Sequence, residues 1–185
     1  SNAGGVNPQG CAQAVRTVAH RLGLEVAIGT VSGDDLTGDL AAITLHGAAW
    51  NAETGMPLDL NDADVLAANA YLGGWGIESA LSAGADIVIT GRVTDAALVV
   101  GPAAWSFGWK TDDWDFLAGA VIAGHVIECG GQATGGNFSF FDEIPDMRRV
   151  GFPIAEIHHD GSSVITKAEG TGGSVTKETV TAQLL

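Results

Sequence analysis

Apolar positions along the chain follow two alternating patterns. Cys11, Val15, Val18, Ala19 and Leu22 recur at helical spacing, with Asn7-Pro8 as N-cap and first helical proline and Gly23 as the stop. Residues 24–31 instead form a nearly unbroken apolar run interrupted only by Glu25. A strand covered on both faces reads this way, which favours a parallel sheet. Ser32-Gly33-Asp34-Asp35 reads as a turn, 36–45 as helix, and 46–61, with Trp50, Gly55 and Pro57, as loop or short hairpin. Val65, Leu66, Leu72, Trp75, Ile77, Ala80 and Leu81 predict another helix, capped by Asn61 or Asp62, weakened by Gly73, Gly74 and Gly76 and ended by Gly84. A second buried strand follows over 86–90. Further helices run from about Ala96, and from Asp112 or Asp113 to about Glu128.

The pattern changes after Cys129. Residues 130–137, Gly-Gly-Gln-Ala-Thr-Gly-Gly-Asn, predict irregular backbone. Phe138 opens an aromatic-rich stretch. Apolar alternation over 154–159 and 162–167 flanks Asp160-Gly161, a two-residue hairpin signal. Gly170-Thr171-Gly172-Gly173-Ser174 leads into a helix over 175–185, and a helix running to the last residue predicts a portion of a longer protein. The expected fold class is therefore α/β, a mostly parallel sheet with flanking helices plus a C-terminal antiparallel β-hairpin. It reads as one domain over 1–185, with helix and strand units to 129 and glycine-rich loops, hairpin and a further helix after it.

Composition narrows the function classes. Of 185 residues, 46% are hydrophobic and 16% charged, enough for a packed core. Lys and Arg total 8 against 22 Asp and Glu, a formal charge of −14, which repels nucleic acid and anionic membrane surfaces. Cys11 and Cys129 form no disulfide framework and have no metal-ligand spacing. With no bilayer-length apolar run and no basic leader, the expected setting is the cytoplasm.

In parallel sheets, ligands bind beyond the carboxyl ends of the strands. Two such ends are named here: Ser32 to Asp35, and Thr90-Gly91-Arg92-Val93-Thr94-Asp95. Asp34, Asp35 and Asp95 are the candidate proton-handling carboxylates; read plainly, they and Thr94 cap helices. Arg92 offers a planar fork for a carboxylate or phosphate, or else pairs with Asp86 or Asp95. Gly33 and Gly38 have the spacing of phosphate-loop glycines, but Asp39-Leu40 stands where that loop needs Lys and Ser or Thr. G-x-S-x-G and G-x-G-x-x-G are both absent.

Two glycine loops, through Gly135, Gly136 and Asn137 and through Thr171, Gly172 and Gly173, would turn backbone amides toward a ligand or simply connect elements. His125 and Glu128 lie beside the first and are candidate substrate-binding residues; alone they make no metal site, and no metal or cofactor is assigned. Cys129 follows a helix C-terminus, where the dipole disfavours a thiolate. Of His158 and His159, one is expected on the sheet face. Trp105, Phe107, Trp109, Trp114 and Phe116 read as core or subunit contact, which suits a homo-oligomer, or as a substrate wall.

Several segments together resemble one family. They are Asn2-Ala-Gly-Gly-Val-Asn-Pro8, Val31-Ser-Gly-Asp-Asp-Leu36, Asn69-Ala-Tyr-Leu-Gly73, Ala85-Asp-Ile-Val-Ile-Thr-Gly-Arg-Val-Thr-Asp-Ala96, Gly124-His-Val-Ile-Glu-Cys-Gly130, Thr134-Gly-Gly-Asn137, Thr171-Gly-Gly173 and Thr179-Val-Thr-Ala-Gln-Leu-Leu185. The chain is similar over nearly all its length to the acyclic terpene utilisation family. The resemblance implies a role in bacterial breakdown of citronellol- and geraniol-type isoprenoids, alongside biotin-dependent acyl-CoA carboxylases. It thus points to a small branched acyl or isoprenoid carboxylate, or its CoA thioester, as substrate. It also implies carboxylase subunits as partners in the alternative role of a non-catalytic accessory or assembly subunit, and sequence beyond both ends of the chain. It transfers no catalytic residues.

Overall fold

The computed structural model describes residues 1–47, 49–59 and 65–185. The chain packs as two compact units, Ser1–Leu72 with Ala85–Val93, and Gly73–Gly84 with Thr94–Leu185.

The first unit is built on a parallel strand pair. Helix α1 (Pro8–Arg21) starts as its sequence dictates: the Asn7 side chain accepts from Gly10 N at 2.9 Å, and Pro8 opens the helix. Gly23, at φ +70°, lets the chain leave it. Strands β1 (Ile28–Val31) and β2 (Ile87–Thr90) pair in parallel, with Ile28 opposite Ile87 and Val31 opposite Thr90. Helix α1 packs on both. A 3-10 turn over Thr37–Asp39 leads into α2 (Leu40–Leu45).

Strand β2 is the better covered of the two; Val88, Ile89 and Thr90 are buried, whereas every residue of β1 is half-buried. On its other edge β2 is met by the start of the chain. The Ser1 amino group donates to Val88 O (2.8 Å), and Thr90 N donates to Ser1 O (2.9 Å). The apolar run 24–31 is thus strand only in its second half, and β1 is not covered on both faces. Residues 24–27 run ahead of the ladder, where Ala27 N donates to Asp86 Oδ2 at 2.8 Å.

The helix expected to start near residue 62 begins only at Trp75. Its supposed caps, Asn61 and Asp62, lie outside the described residues. The stretch before Trp75 has other partners: Leu36 N donates to Ala68 O (2.8 Å), Ala70 N to Asp34 O (2.7 Å) and Leu72 N to Arg92 O (3.2 Å). Backbone groups used in such cross-links are not available to a helical ladder.

The second unit is mainly helical: α3 (Trp75–Ser82), α4 (Ala97–Phe107), α5 (Trp114–Glu128) and α6 (Lys177–Leu184), with an antiparallel hairpin of β3 (Pro153–Ile157) and β4 (Ser163–Lys167). Helices α3 and α4 approach closely because both lack a side chain at the crossing. A β-carbon on Gly101 would sit 2.7 Å from Gly74 O and from Ile77 Cβ. The core gathers Ala103, Ala104, Trp109 and Ala120, flanked by Phe107, Phe116, Leu117 and Ile157. Trp109 is 5% exposed, and its Nε1 donates to His159 O at 2.9 Å.

The hairpin joins through 158–162 rather than through Asp160-Gly161 alone. His158 N donates to Ser162 O, Gly161 N to His158 O, and Asp160 Oδ1 accepts from Ser162 N and Oγ. The strands are thus shared between a parallel and an antiparallel pair, so the molecule is mixed α and β, and the parallel sheet is smaller than the sequence suggests. Among the described residues no helix is long and apolar enough to cross a membrane.

Candidate functional site

Because β1 and β2 run parallel, the turns that follow them leave the same end of the pair. Their meeting point is Asp34. Its side chain is only 3% exposed, and Oδ2 accepts from Arg92 N at 2.7 Å and from Asn69 Nδ2 at 3.1 Å. The Asp34 backbone oxygen accepts from Ala70 N, so one residue ties together the turn after β1, the turn after β2 and the strand-like segment 68–72. Gly91 is where this joint needs a glycine: a β-carbon there would run into the Asp34 carboxylate. Asp34 is therefore a buried acceptor that orders backbone.

What the joint presents is Arg92. Its backbone is held from below while its side chain is exposed, with the guanidinium carbon 5.6 Å from the centre of the Tyr71 ring. That is cation–π distance. Within its unit Arg92 makes no ion pair among the described residues; in particular it does not pair with Asp86, whose Oδ2 accepts from Ala27 N. Asp35 stands on the same rim, exposed. Its Oδ1 accepts from Thr37 N at 2.9 Å, and the Thr37 hydroxyl and amide, in that order, hold its pKa below the usual aspartate value. Asn69 and Tyr71 belong to the segment 69–73 that carries the family resemblance, but spacing alone does not single them out.

The remaining candidates lie in the second unit. Thr94 and Asp95 are exposed just before α4. His125 and Glu128 are exposed on the last turns of α5. Cys129 Sγ donates to Glu128 Oε1 at 3.1 Å, and this bond is the main reason the thiol pKa is raised; the Glu128 and Asp95 charges add to it. That disfavours a thiolate nucleophile. Gln183, buried on α6 and missed in the sequence, latches the region: its Nε2 donates to His125 O (3.2 Å) and its Oε1 accepts from Asn137 Nδ2 (2.9 Å). Among the described residues no group of His, Cys, Asp and Glu is placed to hold a metal ion.

Both glycine loops turn out to be knitted into the protein. Residues 130–137 form a 3-10 turn and successive tight turns rather than irregular chain. The amides of Gln132, Thr134, Gly135, Gly136, Asn137 and Phe138 donate to carbonyls of 129–135. In the second loop, Thr171 N donates to Ala168 O, Gly172 N to Arg149 O (2.7 Å), Gly173 N to Asp146 O (2.6 Å) and Ser174 N to Thr134 O (2.8 Å). The following helix is closed by its own capping box between Thr176 and Thr179.

The aromatic group is smaller than the sequence suggests. Phe107, Trp109 and Phe116 pack with His159, whose ring lies 5.8 Å from Phe107 and 6.0 Å from Phe116. Trp105 and Trp114 are exposed instead.

No curated protein and no solved structure matches the chain. The family model described as acyclic terpene utilisation family protein AtuA matches residues 1–185, and the chain belongs to the acyclic terpene utilisation family.

Proposed function

We propose that the protein is a cytoplasmic catabolic enzyme acting on a small branched acyl or isoprenoid substrate, as the free carboxylate or the CoA thioester, and that Arg92 holds the anionic group. The observation that carries this reading is the Asp34 joint. It fixes the backbone of Arg92 at the carboxyl end of the strand pair and leaves the guanidinium exposed beside Tyr71. A fork in that position suits a carboxylate or phosphate. Asp34 positions; Asp35, the exposed carboxylate on this rim, is the candidate proton acceptor, and the bonds from Thr37 make it a weaker base than an ordinary aspartate. Asp95, near Cys129, is a further candidate in the second unit. Titrating short branched acids and their CoA thioesters into the protein and into Arg92→Ala tests the reading. Binding lost in the variant is expected, and equal binding by both proteins removes the proposal.

A second reading, an accessory or assembly subunit, is favoured by α5. Trp114, 72% exposed, and the exposed Val121 and Ile122 place apolar surface on a helix that also buries Ala120, Ala123 and Val126. Apolar residues on the exposed face of a helix as well as on its buried face suit further burial. The covering surface would be a second copy or an acyl-CoA carboxylase-type subunit. Native mass measurement, alone and with such subunits, tests it; a monomer in both mixtures rules it out.

A further inference from the structure

We infer that the ligand of the Arg92 site is a free carboxylate, not a phosphate or a CoA thioester held by its phosphates, and that Tyr71 is the positioning residue that makes the site read that shape. The inference rests on the proposed function and narrows it.

Three observations carry it. First, the Arg92 guanidinium carbon lies 5.6 Å from the centre of the Tyr71 ring, a cation–π contact that restrains an otherwise exposed side chain. Two parallel in-plane donors match the two oxygens of a carboxylate. Second, among the described residues of its unit Arg92 is the one arginine or lysine at this end of the strand pair. The other arginines of the unit are Arg16 and Arg21, and Arg16 Nη2 donates to Ile28 O at the opening residue of β1. A single positive charge in a chain of formal charge −14 balances a monoanion and leaves a CoA moiety, with its several phosphate charges, uncompensated. Third, backbone amides of the glycine-rich turn that meets the end of β2 already have acceptors. In this unit Gly4 N donates to Thr90 O (3.1 Å), Asn7 N to Gly4 O (2.9 Å) and Gly10 N to Asn7 Oδ1 (2.9 Å).

The test is calorimetric titration of the whole chain with isovalerate, its methyl ester, isovaleryl-CoA and inorganic phosphate. It uses wild type, Arg92→Ala, Arg92→Lys, Tyr71→Phe and Tyr71→Leu, each checked for an unchanged melting temperature. Isovalerate should bind and the other three should not. Arg92→Lys keeps the charge but loses the fork, and should weaken isovalerate by about tenfold. Tyr71→Phe should bind like wild type and Tyr71→Leu should weaken binding by about twofold to fivefold, the range of an exposed cation–π contact. Isovaleryl-CoA or phosphate binding in an Arg92-dependent way, or Arg92→Lys binding isovalerate as wild type does, overturns the carboxylate assignment while leaving an anion site. Tyr71→Leu binding as wild type overturns the positioning role. No compound responding to Arg92→Ala removes the site itself.

Discussion

Asp34 is a buried carboxylate that ties three segments of backbone together. Removing it as Asp34→Ala strips the acceptor from Arg92 N and from the Asn69 amide. Both donors are partly buried, which puts each in the lower part of the range of about 1–3 kcal/mol for an unsatisfied group, and the expected loss is about 2–4 kcal/mol in urea denaturation. Gly91→Ala, whose methyl group meets the same carboxylate, should cost about 1–3 kcal/mol by overpacking; no measurable loss for either variant contradicts the joint. Cys129 offers a test by chemistry. Its thiol is held protonated mainly by the bond to Glu128, so Glu128→Gln should lower its pKa and speed alkylation by iodoacetamide at mildly alkaline pH. A time course read by mass spectrometry that shows no acceleration refutes that cause. The sequence marked Arg92, Asp34 and Asp35, because strand, glycine and charged residue adjoin in the chain. It left Asn69, Tyr71 and Gln183 unmarked, because their partners are 35 (Asn69 to Asp34) and 58 (Gln183 to His125) residues away or lie across a ring contact.

At the scale of elements, local signals succeeded where a helix or hairpin supplies its own partners. The Asn7-Pro8 start of α1, the span of α5 and the pairing of β3 with β4 all follow from neighbouring residues. Prediction failed over 65–74, where apolar spacing suggests helix but the backbone is recruited by Leu36, Asp34 and Arg92. Tryptophans separate the same way. Trp109 and Trp114 have equal propensity to bury, yet one is in the core and one is not. Trp109→Ala should therefore destabilise by about 3–5 kcal/mol, and Trp114→Ala should stay within about 0.5 kcal/mol of wild type, in thermal or chemical unfolding. Similar losses for both would mean that α5 is oriented differently from the structure described.

For the whole molecule, acid is the informative variable. Asp35, Asp146, Asp160 and Glu178 all have lowered pKa values. The chief causes are the Thr37 hydroxyl for Asp35, the Arg148 amide for Asp146, the Ser162 hydroxyl for Asp160 and the backbone of Glu178 for itself. A depressed folded-state pKa contributes stability that is fully present above the unfolded value and lost as pH falls through the folded one. Those unfolded values are near 3.8 for Asp and 4.5 for Glu. The urea midpoint should therefore decline as pH is lowered from about 4.5 toward 2, and Asp160→Asn should make the decline shallower. A flat midpoint over that range refutes the contribution.

The amino-acid sequence alone determined the acidic character of the protein, most helix starts, the two strand ends that carry polar residues, the hairpin and the family. These depend on composition or on residues close together in the chain. Tertiary structure decided that Asp34 is a joint, that Arg92 is presented over Tyr71, that most glycine-loop amides are occupied and that the parallel sheet is two strands wide among the described residues. Each of those outcomes is a competition among distant segments for the same hydrogen-bonding groups. Which partner wins is set by the packing of the whole unit, and no local pattern of apolar and polar residues records it.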